Sequence, residues 1–231
     1  MSTSTERLPV VLVHGIKGHS GNMQCLARHL RARGWTVHTP DLKPNWGQAG
    51  LDVLAGHLGD FVEAKIPHGA RFHLLGFSMG GLISRYYLQR LGGLERVDQF
   101  ITLSTPHQGS LWAWVLPNAA GRQMRPDSGF LRDLESDAER LREVEFTSVW
   151  TPLDLTIMPA RSSHVAHGTC RTIWCAAHPL MIYDGRCLRL VSDILERPPS
   201  GGRAPTKPLA LHTTPSPDLP RAAPAPPPAT G

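Results

Sequence analysis

The sequence predicts an α/β protein with a mostly parallel central sheet and helices on both faces. Two observations predict it. Short apolar runs alternate with stretches of helical periodicity from about residue 9 to residue 196, and such alternation implies right-handed crossovers that return each strand parallel to its neighbour. The length of 231 residues suits one domain with a substantial buried core. The expected organisation is a flexible N-terminus over 1–8, a single folded domain over 9–196, and a separate tail over 197–231.

The elements follow in order. Val10-Val11-Leu12-Val13 is a continuous apolar run, as a strand buried on both faces requires. Residues 20–33 read as a helix stopped by Gly34, and Trp35 to Thr39 as a strand. A helix over 52–66 ends before Pro67. Arg71 to Leu75 is a strand, and Leu82, Ile83, Tyr86, Tyr87 and Leu91 recur at helical spacing over 79–91. Gln99 to Ser104 is a strand closed by Pro106, and Leu131, Leu134, Ala138 and Leu141 share a face of one helix over 130–142. Phe146 to Trp150 and Thr172 to Cys175 are expected as late strands, and 186–196 as the closing helix.

Gly76-Phe77-Ser78-Met79-Gly80 lies between a strand and a helix. A sharp turn there leaves the Ser78 hydroxyl exposed at the carboxyl edge of the sheet, where open α/β folds build their sites. A serine becomes a nucleophile only with a base, and the base needs an acid to fix its tautomer. His178 is the candidate base, because it follows the last predicted strand; His164 and His167 precede that strand. Asp154 is the candidate acid, in a Pro-bearing turn after the strand ending at Trp150. Asp127, Asp133 and Asp137 are placed on a loop or helix, and Asp184 is a lesser rival close to the histidine in sequence. His14-Gly15-Ile16 follows the first strand, so the backbone N–H groups of Ile16 and Met79 are the expected donors to an oxyanion. Leu111, Trp112, Trp114, Val115 and Leu116 cluster within 110–130, a possible lid or acyl-pocket segment, with Trp112, Trp114 and Leu116 as candidate substrate contacts. His107 reads as a turn-stabilising residue.

Three segments together, Val11 to Ile16, Gly76 to Gly81 and Leu103-Ser104-Thr105-Pro106-His107-Gln108-Gly109, resemble the bacterial lipases and esterases of the α/β-hydrolase superfamily, and most closely its compact members with a minimal cap. The resemblance spans the body and none of the tail. It implies carboxylic ester hydrolysis of lipid or other apolar acyl substrates through an acyl-enzyme, with Ser78, Asp154 and His178 as triad, Ile16 and Met79 as oxyanion donors, and no cofactor or metal. Thioesterase or acyltransferase chemistry would use the same groups. A catalytically silent relative whose tail recruits a partner is the alternative from a different class.

Composition narrows the partners. The net charge of +5 comes with no basic run interleaved with aromatics, so nucleic acid is not an expected partner; contact with an anionic lipid surface is compatible with it. Cys25, Cys170, Cys175 and Cys187 fit neither a zinc pattern nor a redox pair, and read as free thiols in a reducing compartment. Met1 to Pro9 lacks an apolar leader core, so the expected location is cytoplasmic. From Pro198 onward the chain holds 11 of its 21 prolines, a composition that predicts a disordered tail, with proline-recognising domains as its possible partner.

Overall fold

The computed structural model describes residues 7–197. The predicted N-terminal segment lies mostly, and the proline-rich tail almost wholly, outside the described residues.

Six parallel strands form one sheet. They are β1 (Val10–Val13), β2 (Val37–His38), β3 (Phe72–Phe77), β4 (Val97–Leu103), β5 (Glu145–Trp150) and β6 (Thr169–Thr172), in the order β2-β1-β3-β4-β5-β6. The order reverses beside β1, so the carboxyl ends of β1 and β3 meet at the switch point where such sheets open a crevice. The principal helices are α1 (Gln24–Arg31), α2 (Leu51–Lys65), α3 (Met79–Arg90), α4 (Ala119–Gln123), α5 (Gly129–Glu135) and α6 (Gly185–Leu195).

The period of two along each strand divides the core into two layers. Val11 and Val13 face a cluster with Leu54 and Leu58 of α2 and Leu82 and Ile83 of α3. Val10 and Leu12 face the other cluster, with Leu26 and Leu30 of α1 and Val191 and Ile194 of α6. The continuous apolar reading of β1 is thereby explained, since both of its faces are covered.

Three expectations are corrected. The helix expected over 130–142 is two pieces, α5 and a 3₁₀ segment over Ala138–Glu143. Between them Asp137 is held by Gln89 Nε2 at 2.6 Å and by Arg90 at 2.8 Å, ties to α3 that fix the chain in a break. The last strand is Thr169–Thr172 rather than Thr172 to Cys175. It is an exposed edge strand with no apolar face, so its pairing with β5 is invisible to hydrophobic periodicity. The first helical stretch begins as a 3₁₀ turn over Ser20–Met23 before α1.

Candidate active site

β3 runs into α3 through Ser78, whose φ of 54° and ψ of −125° lie outside the regions that L-residues favour. Such strain persists only where neighbours over-determine it. The Ser78 N–H donates to the Leu103 carbonyl at 2.8 Å, and its carbonyl accepts from the Gly81 N–H and from Thr105 Oγ1, each at 3.0 Å. The turn also needs its glycines. A Cβ on Gly80 would stand 2.5 Å from the His14 carbonyl oxygen, and one on Gly81 would overlap Thr105 Oγ1. The residue-by-residue consequence is that the serine hydroxyl is carried out of the sheet into a cavity of about 220 Å³.

The first-strand loop forms one wall of that cavity. Gly15, Ile16, Lys17 and Gly18 line it together with Ser78 and His178. Gly15 lets the loop come close, because a Cβ there would lie 3.1 Å from Ser78 Cβ and crowd it. Among the described residues, no protein acceptor takes the backbone N–H of Ile16 or of Met79; Met79 opens α3, where first-turn N–H groups have no intrahelical partner. His14 holds the loop in shape. Its Nε2 accepts the Leu42 N–H at 3.1 Å, so Nδ1 carries the proton and donates to the Gly15 carbonyl at 2.9 Å. Burial lowers the His14 pKa and keeps this neutral tautomer.

Asp154 sits in the turn after β5 and His178 at the start of a 3₁₀ segment after β6. Both are buried. Asp154 Oδ2 is 2.7 Å from His178 Nδ1, while Oδ1 accepts the N–H groups of Thr156 at 2.9 Å and Ile157 at 2.8 Å. The imidazole packs on Phe77 with 4.9 Å between ring centroids. Burial raises the Asp154 pKa, but the hydrogen bond and charge of His178 together with the Ile157 N–H leave the carboxyl below its ordinary value. With Nδ1 engaged, Nε2 is the nitrogen left to face the cavity that Ser78 shares.

The rival acid is occupied elsewhere. Asp184 caps α6, its Oδ1 accepting the Arg186 N–H at 2.8 Å and its Oδ2 pairing with the guanidinium at 2.7 Å. His164 stacks edge-on against Trp150, and His167 accepts from Arg142. His107 is buried with Nε2 3.0 Å from Thr102 Oγ1, away from the cavity. The three expected substrate contacts are not brought to the cavity. Trp112 and Trp114 stand in solvent, and Leu116 packs against the α2–α3 layer. The apolar lining is supplied instead by Ile16, Phe77, Pro179, Ile182 and Tyr183. The last three come from the segment around the base, and their role was not legible because that segment offered no periodicity.

Comparison with known proteins agrees with this architecture. Residues 9–163 match the family model described as the alpha/beta hydrolase fold, and the chain belongs to that family. The mature form of Bacillus licheniformis lipase BlEst2 superposes with a TM-score of 0.68 at 18% identity, covering 84% of this chain and 94% of that one. Aspergillus fumigatus lipase B gives 0.71 at 16% identity over 84% of this chain, which spans only 53% of the fungal protein. A pyrethroid hydrolase from Sphingobium faniae JZ-2 gives 0.56 at 17% identity, covering 83% and 98% of the two chains. At these identities the superpositions establish the fold. Among the described residues no helix is long and apolar enough to cross a membrane.

Proposed function

We propose that this protein is a serine esterase cleaving carboxylic esters of lipid or other apolar acyl substrates. The observation that carries the reading is the strained Ser78 opening into the same cavity as His178, whose far nitrogen is held by a buried carboxylate. In the proposed reaction, His178 Nε2 takes the Ser78 proton as Oγ bonds to the ester carbonyl carbon. Asp154 keeps the proton of Nδ1 in place and stabilises the imidazolium that forms. The carbonyl oxygen, now negative, is met by the N–H groups of Ile16 and Met79. Collapse breaks the bond to the alcohol oxygen, which receives the proton from His178. A water then gives its proton to His178 as it attacks the acyl-enzyme, and the acid leaves with Ser78 restored. No step calls on a cofactor.

The acyl chain is proposed to lie along Ile16, Phe77, Pro179 and Ile182, where burying each methylene contributes about 0.8 kcal/mol. A series of p-nitrophenyl esters tests this. Turnover of wild type with kcat/KM rising over the first few carbons, and none above background for Ser78→Ala, is the expected result. Equal rates for the two proteins would overturn it. Running the same series with thioesters and added alcohols separates hydrolysis from acyl transfer.

A further inference from the structure

The face that carries the cavity mouth also carries most of the exposed tryptophan. Trp46, Trp112, Trp114 and Trp174 are between 51% and 64% exposed. They lie on the connections that follow β2, β4 and β6 at their carboxyl ends, the same edge of the parallel sheet as Ser78. The connections are tied to one another and to the cavity. Asn118 Nδ2 donates to the Trp46 carbonyl at 2.9 Å, and the Leu111 N–H to that of Met158 at 2.8 Å. Ser110 Oγ donates to the carbonyl of Thr156, a cavity residue, at 3.0 Å. Arg186 reaches the Trp174 carbonyl at 2.6 Å, three residues from Tyr183 in the cavity wall.

Two of the indoles carry cations on their faces. Lys17 Nζ lies 5.1 Å from the Trp46 ring centroid, and Arg125 Cζ 4.5 Å from that of Trp114. Of the acids on these connections, Asp184 is paired with Arg186, Asp41 accepts the Ser20 N–H and lies near Lys43, and Asp127 is exposed two residues from Arg125. Four indoles exposed along one edge of the sheet are more than the singly scattered apolar side chains normal on a protein that meets only water. Indole paired with a cation suits one environment in particular: the headgroup level of a bilayer, where the ring meets the acyl boundary and the charge meets phosphate. A neutral surface would leave the cations unmatched, and the net charge of +5 acts in the same sense.

We propose that this edge docks on an anionic phospholipid bilayer, with the cavity mouth turned toward the membrane. That the mouth then receives ester from the bilayer rests on the esterase reading; the docking itself does not. Co-sedimentation with vesicles of phosphatidylglycerol or of phosphatidylcholine tests it, using wild type, Trp46→Ser/Trp174→Ser and Ser78→Ala. Wild type is expected to bind the anionic vesicles at least about tenfold more tightly than the neutral ones, and less tightly in about 0.5 M NaCl. The double variant is expected to lose at least about tenfold of that binding, with p-nitrophenyl acetate turnover unchanged, and Ser78→Ala to bind as wild type does. Equal binding to both vesicles, no binding, or binding indifferent to the double substitution would overturn the docking. So would a dimer in solution that the double substitution dissociates, since the face would then be covered by a second copy. An active wild type that ignores vesicles sinks only the docking. A vesicle-binding protein without esterase activity sinks only the esterase.

Discussion

Burial drives the Asp154 carboxyl toward its neutral form, while His178 and the Ile157 N–H hold it ionised, and the second influence prevails. Because its folded pKa is depressed, the stability it contributes is complete above the ordinary carboxylate range and is lost as pH falls through the folded value. The same pairing gives a kinetic expectation. Asp154→Asn should lower kcat by about 10³ to 10⁴-fold through loss of the His178 tautomer, whereas Asp184→Asn, at the cap of α6, should leave kcat within about twofold. Steady-state kinetics on a soluble ester checks both, and comparable losses at the two positions would contradict the acid assignment. Ser78, Asp154 and His178 could be proposed from sequence because each follows a strand end in a fixed order. His14 could not, since its work is done through Leu42, 28 residues away along the chain.

At the scale of elements, the strand-to-helix turn is the most constrained part of the chain. Gly81→Ala would force its Cβ into Thr105 Oγ1, on the residue whose hydroxyl holds the Ser78 carbonyl. It should destabilise the fold by about 2 kcal/mol or more and reduce activity further than stability alone explains. Asp184→Ala removes the cap of α6 and should cost about 1 kcal/mol in denaturant unfolding with kcat retained. β1 and β3, buried on both faces, were legible as short continuous apolar runs, and α2 because its buried face wrote a helical period into the sequence. β6 was displaced because its four residues are all exposed, and the helix over 130–142 was overextended because its break is imposed by side chains of α3. In both cases a tertiary partner, absent from local pattern, set the boundary.

For the whole molecule, buried neutral histidines set the response to acid. Burial lowers the pKa of His14, His73 and His107, that of His73 to about 4 with Arg71 adding to the effect; the Asp98 carboxylate near His73 is engaged by Arg71 at 2.6 Å. With folded values below the unfolded one, the unfolded chain takes up protons first as pH falls. Stability is therefore complete above about pH 6.5 and declines toward pH 4, by about 1.4 kcal/mol per pH unit for His73 alone. Thermal unfolding should show Tm lower at pH 5 than at pH 7.5, and His73→Gln should flatten that slope; a pH-independent Tm would contradict the assignment. The parallel α/β architecture was legible at this scale, and so was the edge bearing the site. The placing of Trp46, Trp112, Trp114 and Trp174 along that edge was not, because the three loops that carry them are far apart in sequence.

The central claim is that Ser78 is an activated nucleophile with His178 as its base. Labelling by a fluorophosphonate probe, with wild type beside Ser78→Ala and His178→Ala, tests it most directly. Covalent labelling of wild type alone, at one residue mapped to Ser78, is the expected result. Failure of folded wild type to react, or equal labelling of Ser78→Ala, would contradict it.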